Sequence, residues 1–233
     1  MARQNESVRL ITRIALLGAE STGKTHLSHA LAQALREDGH TVNVVPEVLR
    51  AWCDSHGRTP KPHEQVGIAH QQASAVLAHP SGIVISDTSP LMTAVYSHTL
   101  FHDESLYEFA FAHQRLFDMT LLTGLDLPWV PDGLQRDGPH VREPIDAMVR
   151  AALQRGGVAY KVIYGHEEKR LHNALQALGL DNLSNSPVLR AARMLREQGQ
   201  YALNQGRTAW VCDTCSDAAC EHRLFTGLLH GHQ

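Results

Sequence analysis

The sequence predicts an α/β fold, a mainly parallel sheet covered by helices on both faces. Three observations predict it. Short apolar runs alternate with segments of helical spacing over residues 11–178. A glycine-rich turn joins the first apolar run to the first helical segment. The third apolar run ends on an acid, Asp87, at the edge where open α/β sheets hold their ligands.

Taken in order, residues 11–17 are apolar and end in glycine, which fits a buried central strand. Residues 24–36 carry Leu27, Ala30, Leu31 and Leu35 on one helical face, and Gly39 closes the segment. A second strand over 41–45 stops at Pro46. An amphipathic helix is expected over 62–78, and a turn at 79–82 leads into a third strand, 83–85. Helices follow over 90–100 and 103–117, then a fourth strand over 119–122. Residues 128–144 are rich in Pro, Gly and charge and form a long loop. A helix over 145–155, a fifth strand over 159–163 and a helix over 166–178 complete the pattern. A polar stretch at 181–187 sets a boundary, giving a domain over 8–180 and a C-terminal helix with a Cys-rich tail over 181–233.

The turn after the first strand reads Gly18, Ala19, Glu20, Ser21, Thr22, Gly23, Lys24, Thr25, which matches the P-loop pattern in full. Its context, strand before and helix after, is the one the motif requires. Glycines let main-chain N–H groups converge on anionic oxygens, and the helix N-terminus adds a favourable dipole. Lys24 suits the β- and γ-phosphates of ATP, and the Thr25 hydroxyl suits Mg²⁺. The fold expected is therefore the P-loop NTPase three-layer sandwich.

Asp87 stands either as the acid that holds the metal or aligns the acceptor hydroxyl, or as the N-cap of the helix that starts near Pro90. An acid directly after a buried strand favours the first. Glu47, with Arg50 one turn on, is either an acceptor-side acid or a solvated first-turn acid with an i,i+3 partner.

Composition bounds the function. A length of 233 residues suits one α/β domain with a small appendage, and 43% apolar residues supply a core. The formal net charge of -3 argues against a nucleic-acid binder. No apolar run approaches the roughly 20 residues of a membrane span, and the polar N-terminus lacks a secretory signal. The expected setting is cytoplasmic and the expected partner a small molecule.

Four stretches resemble the nicotinamide riboside kinase family, the kinase part of NadR-type proteins. They are the loop 18–25; Val45-Pro46-Glu47 with Arg50; Asp87-Thr88 with Pro90-Leu91 and Thr93-Ala94-Val95-Tyr96-Ser97; and the stretch from Leu121 to Leu134 that contains Asp126, Pro128, Trp129, Asp132 and Gly133. The resemblance runs over roughly residues 11–178. It implies a fold like the nucleoside-monophosphate kinases and ATP-dependent phosphorylation of the 5′-hydroxyl of nicotinamide riboside, a step of NAD salvage. It places Asp87 and Glu47 around the ribose and metal, Trp129 on the cationic ring, Tyr96 near the same pocket and Gly165 near the adenine. It makes residues 132–142 a lid in which Arg136 and Arg142 offset phosphoryl charge.

The sequence departs from the family at three places. His26 stands where a second Ser or Thr is usual, Val48-Leu49 replaces a Tyr-Ala pair, and Ser89 stands where an Asp or Asn is common. The last leaves another nucleoside-like acceptor open. The adenylyltransferase partner of NadR has no room ahead of residue 11, so the kinase is expected to act alone or pass its product on.

In the tail, Cys212, Cys215, Cys220 and His222 offer a Cys3His set for structural zinc, against three ordinary cysteines. The rival function is an ATP-binding regulatory module with that tail as its metal-sensing part.

Overall fold

The computed structural model describes residues 12–130 and 139–180. The expected C-terminal segment, with its cysteines and His222, lies outside them, as does Arg136.

Chain order runs β1 (Arg13–Leu17), α1 (Lys24–Glu37), β2 (Val42–Val45), α2 (Val48–His56), α3 (Pro62–Leu77), β3 (Ile83–Asp87), α4 (Pro90–Phe101), α5 (Tyr107–Gln114), β4 (Met119–Thr123), α6 (Arg142–Arg155), β5 (Lys161–Ile163) and α7 (Glu167–Ala177). A 3₁₀ turn, Pro139–Val141, leads into α6. The strands form one parallel sheet in the order β2-β3-β1-β4-β5. The two strands that carry the sequence motifs, β1 and β3, lie side by side in its interior. Their register sets Leu16 opposite Asp87.

Burial follows position in the sheet. Every residue of β3 is buried, as a strand covered on both faces requires. Leu16, Leu17, Ile85, Leu121 and Leu122 are fully shielded. Each contributes about 1.5–3 kcal/mol by leaving water. Helix α1 packs on α7, while α4 packs on α3, α5 and α6. Together with the sheet they make the expected α/β layers.

Several elements differ from the sequence reading: α5 and β5 are shorter than the expected 103–117 and 159–163, and two differences bear on the site. Helix α2 was not expected, because only Cys53 of its nine residues is buried and no side chain caps its start. It is closed by Gly57 at φ 64°, a conformation that favours glycine. Helix α6 begins at Arg142, ahead of Pro144, since proline is tolerated in a first turn. The long loop is shorter by that much.

Candidate active site

The phosphate loop is built by restraining its carbonyls. Lys24 Nζ donates to Gly18 O at 3.0 Å and to Ala19 O at 2.9 Å. Thr22 Oγ1 donates to Ala19 O at 2.7 Å and contacts Thr123 Oγ1 at 2.7 Å. Arg170 Nη2 donates to Thr22 O at 2.8 Å. A peptide's N–H points opposite its C=O, so carbonyls drawn onto protein donors turn the amides of the loop towards an incoming anion. Gly18, at φ 147°, is required twice over. Its conformation favours glycine, and a Cβ there would fall on Thr123 Oγ1.

The metal side comes from the register. Because Leu16 pairs with Asp87, the end of β3 lies beside the first turn of α1, and Thr25 Oγ1 donates to Asp87 Oδ2 at 2.5 Å. Asp87 is 2% exposed, and its other oxygen, Oδ1, is buried with no hydrogen-bond partner. An orphaned carboxylate oxygen beside a threonine hydroxyl fits a hard cation that takes oxygen ligands, so Thr25 and Asp87 are the residues that would hold Mg²⁺. Bound there, Mg²⁺ would offset charge on nucleotide phosphate oxygens. No cluster of three or more His, Cys, Asp or Glu residues suited to a metal occurs among the described residues.

The backbone after Asp87 is strained. Thr88 sits at φ 75°, an outlier for a β-branched residue, and its N–H donates to Leu16 O at 3.0 Å. Ser89 then caps α4. Its hydroxyl accepts from Leu91 N–H at 3.2 Å and donates to Gln114 Oε1 at 2.6 Å. Ser89 is fully buried, and its hydroxyl is engaged by the cap and by Gln114.

A cavity of 910 Å³ opens onto the loop. Glu20, Ser21 and Lys24 form one end of it. Glu47 at the cap of α2, Arg50 and Cys53 of α2, Gln65 of α3, and Tyr96 and Leu100 of α4 also line it, with His140 and Ile145. Glu47 Oε2 lies 3.6 Å from Arg50 Nε, so the i,i+3 pair exists and still faces the cavity. Burial raises the Cys53 thiol above its ordinary value, and the charges of Glu47 and Asp54 add to that.

The structure thus separates residues that the sequence grouped. Lys24, Glu47 and Tyr96 share the cavity. Asp87 and Thr25 do not line it, although Val45 pairs with Ser86, so that Glu47 and Asp87 stand at the ends of neighbouring strands. Trp129 does not line the cavity, and its Nε1 is buried with no partner. The loop carrying Trp129 is tied down, since Ser21 Oγ accepts from Val130 N–H at 2.8 Å and donates to Val130 O at 3.2 Å. Arg142 is buried, and its guanidinium donates to Leu127 O at 2.9 Å and Leu125 O at 3.4 Å. These bonds tie it to the backbone of residues 125 and 127.

Two groups escaped the sequence reading. Arg170, 4% exposed, holds Thr22 O, pairs with Asp126 Oδ1 at 3.1 Å and donates to Gly165 O at 2.8 Å. Gly165 N–H donates to Asp126 Oδ2 at 2.5 Å. Burial works against the Asp126 charge, yet these two donors hold its carboxyl below the usual carboxylate range. No local signal marks Arg170, which follows Thr22 by 148 residues. The other group is Gln65, a polar residue on the inner face of α3. Its signal was available, as a break in helical apolar spacing.

Comparison with curated proteins gives no match. Among solved structures the chain is similar to a NadR protein in complex with NR, at 19% identity and a TM-score of 0.55, covering 72% of this chain and 50% of that one. It is similar to a NadR protein in complex with NAD and AMP-PNP, at 18% identity and a TM-score of 0.56, covering 72% and 48%. It is also similar to thymidylate kinase from Ehrlichia chaffeensis, at 16% identity and a TM-score of 0.52, covering 72% and 97%. The chain spans about half the length of the two NadR proteins. At such identities the likeness establishes a shared fold, the α/β parallel-sheet fold of P-loop nucleotide kinases. No helix among the described residues is long and apolar enough to cross a membrane. Residues 13–170 match the AAA domain, so with its phosphate loop at 18–25 the chain belongs to the AAA domain family of P-loop proteins.

Proposed function

We propose that the protein is an ATP-dependent kinase that phosphorylates the 5′-hydroxyl of nicotinamide riboside. One observation carries the reading: a single cavity runs from Lys24 of the phosphate loop to Glu47 and Tyr96. An acceptor seated there has its hydroxyl next to the group that grips the γ-phosphate. Phosphoryl transfer is mostly positioning and charge stabilisation, and such a cavity supplies the positioning.

The roles follow from placement. Amides of residues 18–25 and the Lys24 ammonium hold the nucleotide phosphates. Thr25 and Asp87 hold Mg²⁺. Glu47, which faces the cavity as Asp87 does not, orients the acceptor hydroxyl and takes its proton. Tyr96, which lines the cavity together with Phe101, is the aromatic assigned to the cationic ring.

The test is a coupled assay with nicotinamide riboside present and absent, with the product identified by mass. Acceptor-dependent ADP release with a phosphorylated riboside is expected. Slow ADP release indifferent to the acceptor would mean an ATP-binding regulatory module instead.

A further inference from the structure

Helix α3 turns Gln65, Ile68, Ala69, Gln72, Ala73 and Val76 inward. Four are apolar, as the inner face of a helix should be, and two are glutamines. The two are treated differently. Gln72 is satisfied within the protein. Its Oε1 accepts from Val48 N–H at 2.8 Å, and its Nε2 donates to Pro46 O and to Ser86 Oγ, each at 3.3 Å. Gln65, two turns earlier, is only 2% exposed, and its Oε1 is buried with no hydrogen-bond partner. Gln65 also lines the cavity that holds Lys24, Glu47 and Tyr96.

A buried carbonyl oxygen without a donor destabilises a fold, and a leucine or methionine would occupy the same space without that penalty. Gln72 shows that this helix face can satisfy a glutamine. An amide oxygen left unsatisfied in a residue that lines a ligand cavity has its complement in the ligand.

We propose that Gln65 reads the head group of the acceptor. A primary amide presents a donor and an acceptor side by side, and its complement is an edge of the same kind reversed, a carboxamide or a lactam. A carboxylate head would set oxygen against the Gln65 oxygen and leave it unpaired. The inference rests on the kinase reading above and narrows it: the riboside phosphorylated carries an amide, and its acid counterpart is refused.

The experiment compares wild type, Gln65→Leu and Gln65→Met in steady-state kinetics on nicotinamide riboside and nicotinic acid riboside, alongside thermal melts of each protein. Wild type is expected to prefer the amide by at least about 10²-fold, as sites built to pair a polar group do. Both variants should lose about 10–100-fold in kcat/KM on the amide, keep their KM for ATP, lose the discrimination and melt higher than wild type. A merely structural Gln65 would give lower melting and equal losses on both acceptors, and that result overturns the proposal, as does unchanged discrimination. The nicotinamide assignment can fail separately. If wild type uses another riboside instead, Gln65 keeps its role only if that riboside has a carboxamide or lactam edge and its turnover drops in both variants. A protein that phosphorylates no riboside overturns both.

Discussion

Thr25 Oγ1 and Asp87 Oδ2 are 2.5 Å apart, although 62 residues separate them in the chain. The contact joins the end of the phosphate loop to the end of a buried strand, and it leaves Asp87 Oδ1 with no protein partner. Asp87→Asn should therefore lower kcat by about 10²–10³-fold and raise the Mg²⁺ concentration needed for half-maximal rate. Lys24→Ala should lower turnover by a similar factor. Product formation across a Mg²⁺ titration checks both, and circular dichroism melts should show the fold retained.

Glu47 faces the cavity, so Glu47→Gln should reduce kcat by about 10²-fold with little change in the KM for ATP. Steady-state kinetics with ATP varied at saturating acceptor decides this. An unchanged kcat would remove Glu47 from proton transfer.

Gly18→Ala places a methyl group on Thr123 Oγ1 and within 3.1 Å of both Thr123 O and Thr22 Oγ1, at φ 147°. The combined overpacking and backbone strain should cost about 2–4 kcal/mol. Adding Thr123→Ala removes the hydroxyl and not the strained φ. The double variant should recover part of the loss, a coupling that a double-mutant cycle in urea measures.

Arg170→Met strips the buried guanidinium from Thr22 O, Gly165 O and Asp126. Breaking a buried pair by removing one partner costs about 3–5 kcal/mol, and the 26% exposure of the Asp126 side chain reduces that to about 2–4 kcal/mol. Calorimetric titration should also show weaker ATP binding, because the loop carbonyl loses its anchor.

The same clamp sets a pH dependence. The Asp126 carboxyl titrates lower in the folded protein than in the unfolded chain. Its contribution is thus complete above the unfolded value, about 3.9, and fades as pH falls from there through the lower folded value. Urea unfolding of wild type and Asp126→Asn should show a stability gap that is constant from about pH 5 to 8 and closes below about pH 4.

What the sequence disclosed was whatever is encoded locally. The loop 18–25, the buried run of β1 and the acid ending β3 each declare themselves within a few residues, and all three stand where expected. Helix α2 did not, because it is only nine residues long and no side chain caps its start. Nor did the presence of Glu47 in the cavity lining and the absence of Asp87 from it, since that depends on how distant elements pack. Arg142 carried a charge at the right place in a family pattern, but the pattern could not tell that its guanidinium would donate to the carbonyls of Leu125 and Leu127. Ser89 and Gln114 were silent for the same reason: a hydrogen bond between distant side chains leaves no trace in spacing.

The pairing of Leu16 with Asp87 has a consequence for how this protein can fail. Side chains alternate across a strand, so a slip of one position in β3 would carry the carboxylate to the far face and drag Ile85 out of its packing. The core would forbid that long before chemistry could suffer from it. A chain that has condensed at all has consequently already aimed its acid. Damage to the interior should appear as fewer working molecules, each as fast as before, and not as a uniform slowing.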